Sequence, residues 1–272
     1  SEMIQMSENA ATKSARQGWF ARLRGKELAP PRVPDGARVY AVGDIHGRLD
    51  LLEILLTKIL AHAGTVERQN SLVFLGDYVD RGQQSKQVID HLLGLSWPGW
   101  KMTFLRGNHD QAVLDFLDDA GFYRIWKDFG AADTLVSYGV KPPRFDTAEA
   151  ISETRKEFAT KCPAKHLDFL RGLEYSHIVG DYMFVHAGVR PGIALDRQAP
   201  QDLMWIRDEF LISDRRLDKV IVHGHTPTDR PVRRANRIGV DTGAYATNCL
   251  TSVVLEGDNC SFLNTGDTVS GD

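Results

Sequence analysis

Gly76-Asp77-Tyr78-Val79-Asp80-Arg81-Gly82 follows an apolar run, Ser71-Leu72-Val73-Phe74-Leu75, with the length and composition of a buried strand. The stretch brings two carboxylates and a guanidinium to the end of that strand, between two glycines. Open α/β sheets bind their ligands outside the carboxyl ends of strands. Alone, the stretch also has a plain explanation, because Asp and Gly are common turn residues and Asp-Arg neighbours are often surface ion pairs. The surrounding chain decides between the two.

Four more predicted strands end in the same way. The run Arg38-Val39-Tyr40-Ala41-Val42 leads into Gly43-Asp44-Ile45-His46-Gly47, and Met102-Thr103-Phe104-Leu105 into Arg106-Gly107-Asn108-His109-Asp110. The runs at 181–185 and 219–222 lead into His186-Ala187-Gly188 and His223-Gly224-His225-Thr226. Each delivers Asp, Asn or His beside a glycine, which lets the backbone turn sharply and leaves room for an ion or substrate. Oxygen and imidazole donors without thiolate suit manganese, iron or zinc in a reactive site better than a structural cysteine-zinc site. A carboxylate such as Asp77 can bridge two cations about 3.5–4 Å apart, an arrangement suited to in-line displacement at phosphorus. The residues themselves therefore point to metal-assisted phosphoester hydrolysis.

Strands alternate with helix-patterned segments at 50–62 and 85–94, which argues for a sheet flanked by helices. Residues 110–173 break the alternation and read as an inserted helical module interrupted by Pro142 and Pro143. Strands resume at 181–185, and 238–240 with 250–255 are expected to close a second sheet. The expected architecture is α/β: two mixed sheets in a sandwich, helices outside, and the metals at the C-terminal strand edge. Residues 1–34 read as a flexible basic tail, with Lys13, Arg16, Arg22, Arg24 and Lys26 around Trp19, Phe20 and Leu23. Weak docking on a membrane surface or partner is the functional use such a segment offers. One catalytic domain is expected over 35–260, and a C-terminal tail over 261–272.

The 272 residues are 42% hydrophobic and 25% charged, as in a globular protein able to bury a full core. A net charge of −3 gives no general attraction to nucleic acid or anionic membranes. No apolar stretch approaches a membrane span, and the N-terminus lacks the apolar core of a signal peptide. Cys162, Cys249 and Cys260 are odd in number and lack metal-motif spacing, so they read as reduced thiols of a cytoplasmic protein.

Taken in order, Gly-Asp-Ile-His-Gly, Gly-Asp-Tyr-Val-Asp-Arg-Gly, Gly-Asn-His-Asp, His-Ala-Gly and Gly-His-Thr resemble the signature set of the phosphoprotein phosphatases, within the calcineurin-like metallophosphoesterases. The resemblance runs over about 39–255 and is nearest the compact bacterial and phage members; at Asp110 the eukaryotic enzymes carry Glu. It implies two divalent metals, manganese foremost, with iron or zinc as alternatives. Asp44, His46 and Asp77 would hold one metal, and Asp77, Asn108, His186 and His225 the other. It further implies direct attack on phosphorus by a metal-bridging hydroxide, with His109 as general acid oriented by Asp80. Arg81, Asn108 and Arg207 would hold phosphate oxygens, Arg207 from the motif Met204-Trp205-Ile206-Arg207-Asp208.

Outside the motifs, His223 reads as a supporting residue, and His62, His91, His166 and His177 as ordinary hydrogen-bonded histidines. Tyr123, Trp126 and Tyr138 offer either an apolar substrate shelf or core packing. Arg233, Arg234 and Arg237 offer either a steering patch or a solvated face.

The leading expectation for the substrate is phosphoserine and phosphothreonine in proteins. The alternative is a dinucleoside polyphosphate, and a non-catalytic metal-binding scaffold comes third. Val-Asp-Arg-Gly and Gly-His-Thr favour the first, because symmetrical diadenosine tetraphosphate hydrolases usually carry Val-Ala-Arg-Gly and Gly-His-Trp. Gly-Asn-His-Asp, shared with the nucleotide enzymes, keeps the second open.

Overall fold

The computed structural model describes residues 29–266, so most of the proposed basic tail and the end of the C-terminal one lie outside the described residues. The first half carries β1 (Ala37–Val42), α1 (Leu49–Ala63), β2 (Gln69–Phe74), α2 (Ser85–Gly94) and β3 (Lys101–Phe104). A helical run follows: α3 (Asn108–Asp118), α4 (Tyr123–Trp126), α5 (Ala131–Ser137), α6 (Ala148–Lys161) and α7 (Ala164–Arg171). The second half holds β4 (Ser176–Val179), β5 (Tyr182–Val185), α8 (Pro200–Trp205), α9 (Asp208–Leu211), β6 (Val220–His223), β7 (Val232–Arg233) and β8 (Arg237–Gly239). It closes with α10 (Ala244–Thr247), β9 (Thr251–Glu256) and β10 (Asn259–Asn264).

Two five-stranded mixed sheets result, in the orders β10-β9-β1-β2-β3 and β4-β5-β6-β8-β7. Side chains alternate across each strand. Val39, Ala41, Val73, Val253 and Leu255 of the first sheet meet Tyr182, Phe184, Val222 and Ile238 of the second in one buried cluster. The intervening Tyr40, Val42, Leu72 and Phe74 face α1 and α2, whose Leu52, Leu55, Ile59, Val88 and Ile89 cover them. On the far side, Met183, Val185 and Ile221 are covered by Leu203, Ile206 and Phe210. Both faces of the central strands are thus buried, which is why they read as continuous apolar runs. Each such side chain contributes about 1.5–3 kcal/mol when fully buried.

Register brings the functional loops together. β1, β2 and β3 run parallel with Val42 opposite Phe74 and Phe74 opposite Phe104. Their following loops, which carry Asp44, Asp77 and Asn108, therefore leave the sheet level with one another. In the second sheet Phe184 lies opposite Val222, and His223 opposite Gly239, again in parallel pairs.

Three boundary expectations change. The run 250–255 joins the first sheet, as β9 antiparallel to β1, and not the second. Its two faces are equally apolar, and the switch is made by α10 and a left-handed Asn248, φ 61°. The chain past Gly257 does not fray at 261: Gly257, φ 55°, starts a hairpin and β10 continues to Asn264. At the other end Val33 is fully buried and donates its N–H to the Gly257 carbonyl at 3.0 Å, so the folded body begins inside the proline-rich boundary. Among the described residues no helix is long and apolar enough to cross a membrane.

Candidate metal centre

Five motif loops converge on one buried pocket at the C-terminal strand edge. His46, Asp77 and His109 place one ligand atom each within 4.8 Å of one another, and so do Asp77, His186 and His225, so Asp77 belongs to both groups. Asp77 Oδ2 lies 3.6 Å from His46 Nε2 and 3.3 Å from His186 Nε2. Asn108 Oδ1 sits 3.0 Å from His186 Nε2, and Asp44 Oδ2 lies 3.9 Å from His46 Nε2. All six sequence-proposed ligands are therefore brought together. Gly224 is required here by close approach, because a side chain on it would run into the Asp44 carboxylate.

The imidazoles are turned for ligation. His46 Nδ1 donates to the Val79 carbonyl at 2.9 Å and His186 Nδ1 to the Leu75 carbonyl at 2.7 Å, which leaves Nε2 of each facing the carboxylates. His225 Nε2 is buried with no hydrogen-bond partner, an orphaned acceptor where a cation fits. His223 is different: its Nδ1 bonds the Gly224 carbonyl at 3.0 Å and its Nε2 accepts from Arg237 at 3.2 Å, so both nitrogens are engaged.

Charge in the pocket is unbalanced without cations. Asp44, Asp77 and Asp241 are all buried, and among the described residues none has an Arg or Lys in ion-pair contact. Burial, then Asp241, raise Asp44 well above the usual carboxylate range. Burial also pushes Asp77 up, but His186 and His109 outweigh it and hold Asp77 well below that range. Burial lowers His46 to about 3 and His225 to about 2, so both imidazoles are neutral donors. Burial likewise opposes charge on His186, yet Asp77 and Asp44 raise it to about 10, a proton standing where a metal would sit. Hard oxygen donors, neutral imidazole and excess negative charge fit two divalent cations.

His109 lies within reach of this ligand set through Nε2, but its other ring nitrogen is tied to a carboxylate outside it. Its Nδ1 lies 2.8 Å from Asp80 Oδ2, which also accepts from Trp126 Nε1 at 2.9 Å, while Asp80 Oδ1 accepts from Thr134 Oγ1 at 2.6 Å. Burial disfavours a charged His109, but Asp77 and Asp80 outweigh it and raise its pKa. Its Nε2 faces Asp77 Oδ2 at 3.9 Å, on the reactive side. Asp110 braces the loops from below: its carboxylate accepts from the N–H groups of Asp77 at 2.7 Å, Gly107 at 2.8 Å and Tyr78 at 2.9 Å.

Arg207 is at the mouth, donating to the His225 carbonyl at 3.2 Å and to Thr226 Oγ1 at 3.0 Å. The aromatic shelf offered by Tyr123, Trp126 and Tyr138 is not formed: all three are buried in the helical core, because α3 and α6 close over them. Phe129 and Trp205 line the mouth instead, with ring centroids 5.4 Å apart, Phe129 5.2 Å from His109 and Trp205 6.2 Å from His225. The arginine patch also divides, since Arg237 is buried on His223 whereas Arg233 and Arg234 are exposed. Sequence reading missed Asp241, which burial raises in pKa and which shares a hydrogen bond with Asp44. Ile238-Gly239-Val240 followed by Asp241-Thr242-Gly243 is the same strand-end signal as the other five.

This fold and donor set define a metal-dependent phosphoesterase. The chain belongs to the calcineurin-like phosphoesterases, whose family pattern matches residues 37–263. It is 25% identical over 236 residues to the bis(5'-nucleosyl)-tetraphosphatase PrpE [asymmetrical] of Anoxybacillus flavithermus, covering 78% of this chain and 88% of that protein. It is 44% identical over 94 residues to the serine/threonine-protein phosphatase 6 catalytic subunit of Caenorhabditis elegans, a match spanning 34% of this chain and only 26% of that one. Among solved structures, one provisionally assigned as a diadenosine tetraphosphatase aligns with TM-score 0.59 and 20% identity, over 89% of this chain and all of that one. The cold-active protein-tyrosine phosphatase of a psychrophilic Shewanella aligns with TM-score 0.55 and 17% identity, over 86% and 83% of the two chains. At these identities the structural likenesses speak for the fold.

Proposed function

We propose that the chain hydrolyses dinucleoside polyphosphates, cleaving a tetraphosphate bridge unequally. The observation that carries this reading is the likeness to an asymmetrical bis(5'-nucleosyl)-tetraphosphatase over 78% of this chain and 88% of that protein. Asp80 sets this chain apart from the symmetrical hydrolases only and does not weigh against unequal cleavage. The half-exposed Phe129 and Trp205 beside Arg207 suit a planar base attached to phosphate.

In the proposed site Asp44, His46 and Asp77 hold one cation, and Asp77, Asn108, His186 and His225 the other. When bound, such cations neutralise phosphate charge and lower the pKa of water. The chain's own residues supply the rest. Arg81 and Arg207 bind the non-bridging oxygens of the scissile phosphate. His109, whose pKa Asp77 and Asp80 raise, gives its Nε2 proton to the leaving oxygen as water's oxygen bonds to phosphorus and the bond from phosphorus to that leaving oxygen breaks. The proton shed by the water passes to solvent, from which His109 is reprotonated.

A second reading, hydrolysis of phosphoserine and phosphothreonine, is favoured by that same acid. A serine or threonine alkoxide is a far poorer leaving group than a nucleotide phosphate and has more need of the His109–Asp80 pair. The test is turnover by the manganese-loaded chain of diadenosine tetraphosphate and of a phosphothreonine peptide under one set of conditions. The proposal expects AMP and ATP as products and the higher kcat/KM for the dinucleotide. A tenfold or greater preference for the peptide refutes it in favour of the second reading.

A further inference from the structure

Arg81 is bound differently from the other arginines around the site. Arg207 engages one guanidinium nitrogen, Nη1, on the His225 carbonyl and Thr226 Oγ1, Arg106 engages two on carbonyl and side-chain acceptors, and Arg48 is forked onto Asp50. Arg81 has no hydrogen-bonding or ion-pair partner for its guanidinium among the described residues. Among the described residues nothing occupies its five donors, which suit an oxyanion, and its positive charge is felt by both His46 and His109. Its backbone is left-handed, φ 70°, and Gly130 packs on its stem so closely that a Cβ there would lie 2.8 Å from Arg81 N and 2.9 Å from its Cγ. The stem is thus fixed while the charged end lacks an acceptor to aim it.

One group does meet that end. Arg81 Cζ lies 4.7 Å from the ring centroid of Tyr245, whose ring also stands edge-on to His46 at 5.6 Å. Tyr245 is carried by α10, a single turn between left-handed Gly243 and Asn248. Arg48 pins that turn, its Nη1 donating to the Ala244 carbonyl at 3.1 Å and to Asn248 Oδ1 at 2.8 Å. The tyrosine itself is 39% exposed and so contributes little to the core.

We propose that Tyr245 is the positioning residue for the phosphate-binding Arg81: its ring face fixes the guanidinium across the mouth of the site while leaving every N–H free for substrate. This rests on the assignment of Arg81 as a phosphate clamp. A cation–π contact suits the task because it orients the cation without using a donor.

The test is a double-mutant cycle on the manganese-loaded chain, with p-nitrophenyl phosphate as substrate and inorganic phosphate as competitive inhibitor. Both are independent of whether the natural substrate is a nucleotide or a protein. Tyr245→Leu should raise KM and the phosphate inhibition constant about 3–30-fold with kcat changed less, the range of a cation–π contact at a half-desolvated site. Tyr245→Phe, which keeps the ring face, should stay within about twofold of the parent. In the Arg81→Ala background Tyr245→Leu should have no further effect, because the residue acts only through Arg81. Metal content and Tm should be unchanged by Tyr245→Leu. If Arg81→Ala leaves the phosphate constant untouched, the clamp assignment is wrong. If Arg81→Ala weakens phosphate but the Tyr245 effect is absent or fully additive, the positioning proposal is wrong while the clamp stands.

Discussion

Asp80→Asn probes the proposed general acid, His109, without touching a proposed ligand. In the parent, Asp80 Oδ2 accepts from His109 and Trp126 and Oδ1 from Thr134. An asparagine carbonyl can keep both ring N–H groups, and its amide can donate to Thr134 Oγ1, so the geometry survives and the negative charge alone is lost. A hydrogen bond involving a charged group contributes about 1.5–3 kcal/mol against about 0.5–1.5 for a neutral one, so roughly 1–2 kcal/mol of imidazolium stabilisation disappears. At 1.36 kcal/mol per factor of ten, that predicts a loss of about 5–30-fold in kcat wherever His109 protonates the leaving group. The loss should be large for an alkyl phosphate and small for p-nitrophenyl phosphate, whose leaving group needs little help. The pH profile adds a sign. As the proposed acid His109 would act protonated, and Asp80 raises its pKa, so in Asp80→Asn the limb along which kcat falls with rising pH should move to lower pH. Steady-state kinetics on the two esters between pH 6 and 9, with metal content measured alongside, would decide it. Equal losses on both esters with an unmoved alkaline limb would show that Asp80 is structural and that His109 is not the acid.

Asp77→Asn should lose both metals together, because Asp77 is shared by the two clusters; metal analysis that still finds two ions per chain refutes the bridge. Asp110→Ala strands three buried backbone N–H groups and should lower stability by about 3–6 kcal/mol, read from the urea midpoint. A change under 1 kcal/mol would mean that water or the backbone replaces them. His223 is buried and pushed down to about 4, below the ordinary 6.5. The unfolded chain therefore takes up this proton first, so stability present above pH 6.5 is lost as pH falls toward 4, by about 3 kcal/mol in full. Chelator-treated His223→Gln should show a correspondingly shallower dependence of urea stability on pH between 7 and 5, and an identical slope would exclude His223 as its source.

The ligand shell was legible because its chemistry is tied to strand ends, and a strand is a local feature. Asp44, Asp77, Asn108, His186 and His225 each follow an apolar run by one to three residues, so parallel strands in register suffice to gather them. What was not legible depends on partners remote in sequence. Nothing local marks Thr134 or Trp126 as the groups that clamp Asp80; they lie 54 and 46 residues away and read as ordinary helix residues. Asp241 escaped notice because its strand is only three residues long and no histidine follows it. The sheet to which 250–255 belongs is not legible in the sequence because Val253, Val254 and Leu255 are all buried, and alternation is silent when both faces are covered.

The backbone gives an independent reason to regard the site as built before any metal arrives. Among the described residues, six non-glycine positions have positive φ, and five of them are His46 (45°), Asp77 (56°), Asp80 (71°), Arg81 (70°) and His225 (66°). Each such conformation costs about 1–3 kcal/mol, and five together approach the whole stability of an ordinary domain. Glycine would remove that strain but could supply no ligand, acid partner or clamp. The strain is held instead by backbone N–H hydrogen bonds, most of them to acceptors outside the ligand set. The Asp77 carbonyl accepts from His46 N at 2.9 Å, and Asp77 N donates to Asp110 at 2.7 Å. Asp80 N donates to Ser85 Oγ at 3.0 Å and Thr134 Oγ1 at 2.9 Å, and His225 N to Asp44 Oδ1 at 3.1 Å. The left-handed turns aim the side chains into the pocket, and of these bonds only the first and the last use a proposed metal ligand as acceptor. Metal binding therefore fills a preorganised cage more than it creates one, and the helices that carry Ser85, Thr134 and Asp110 belong to the active site as much as the loops they brace.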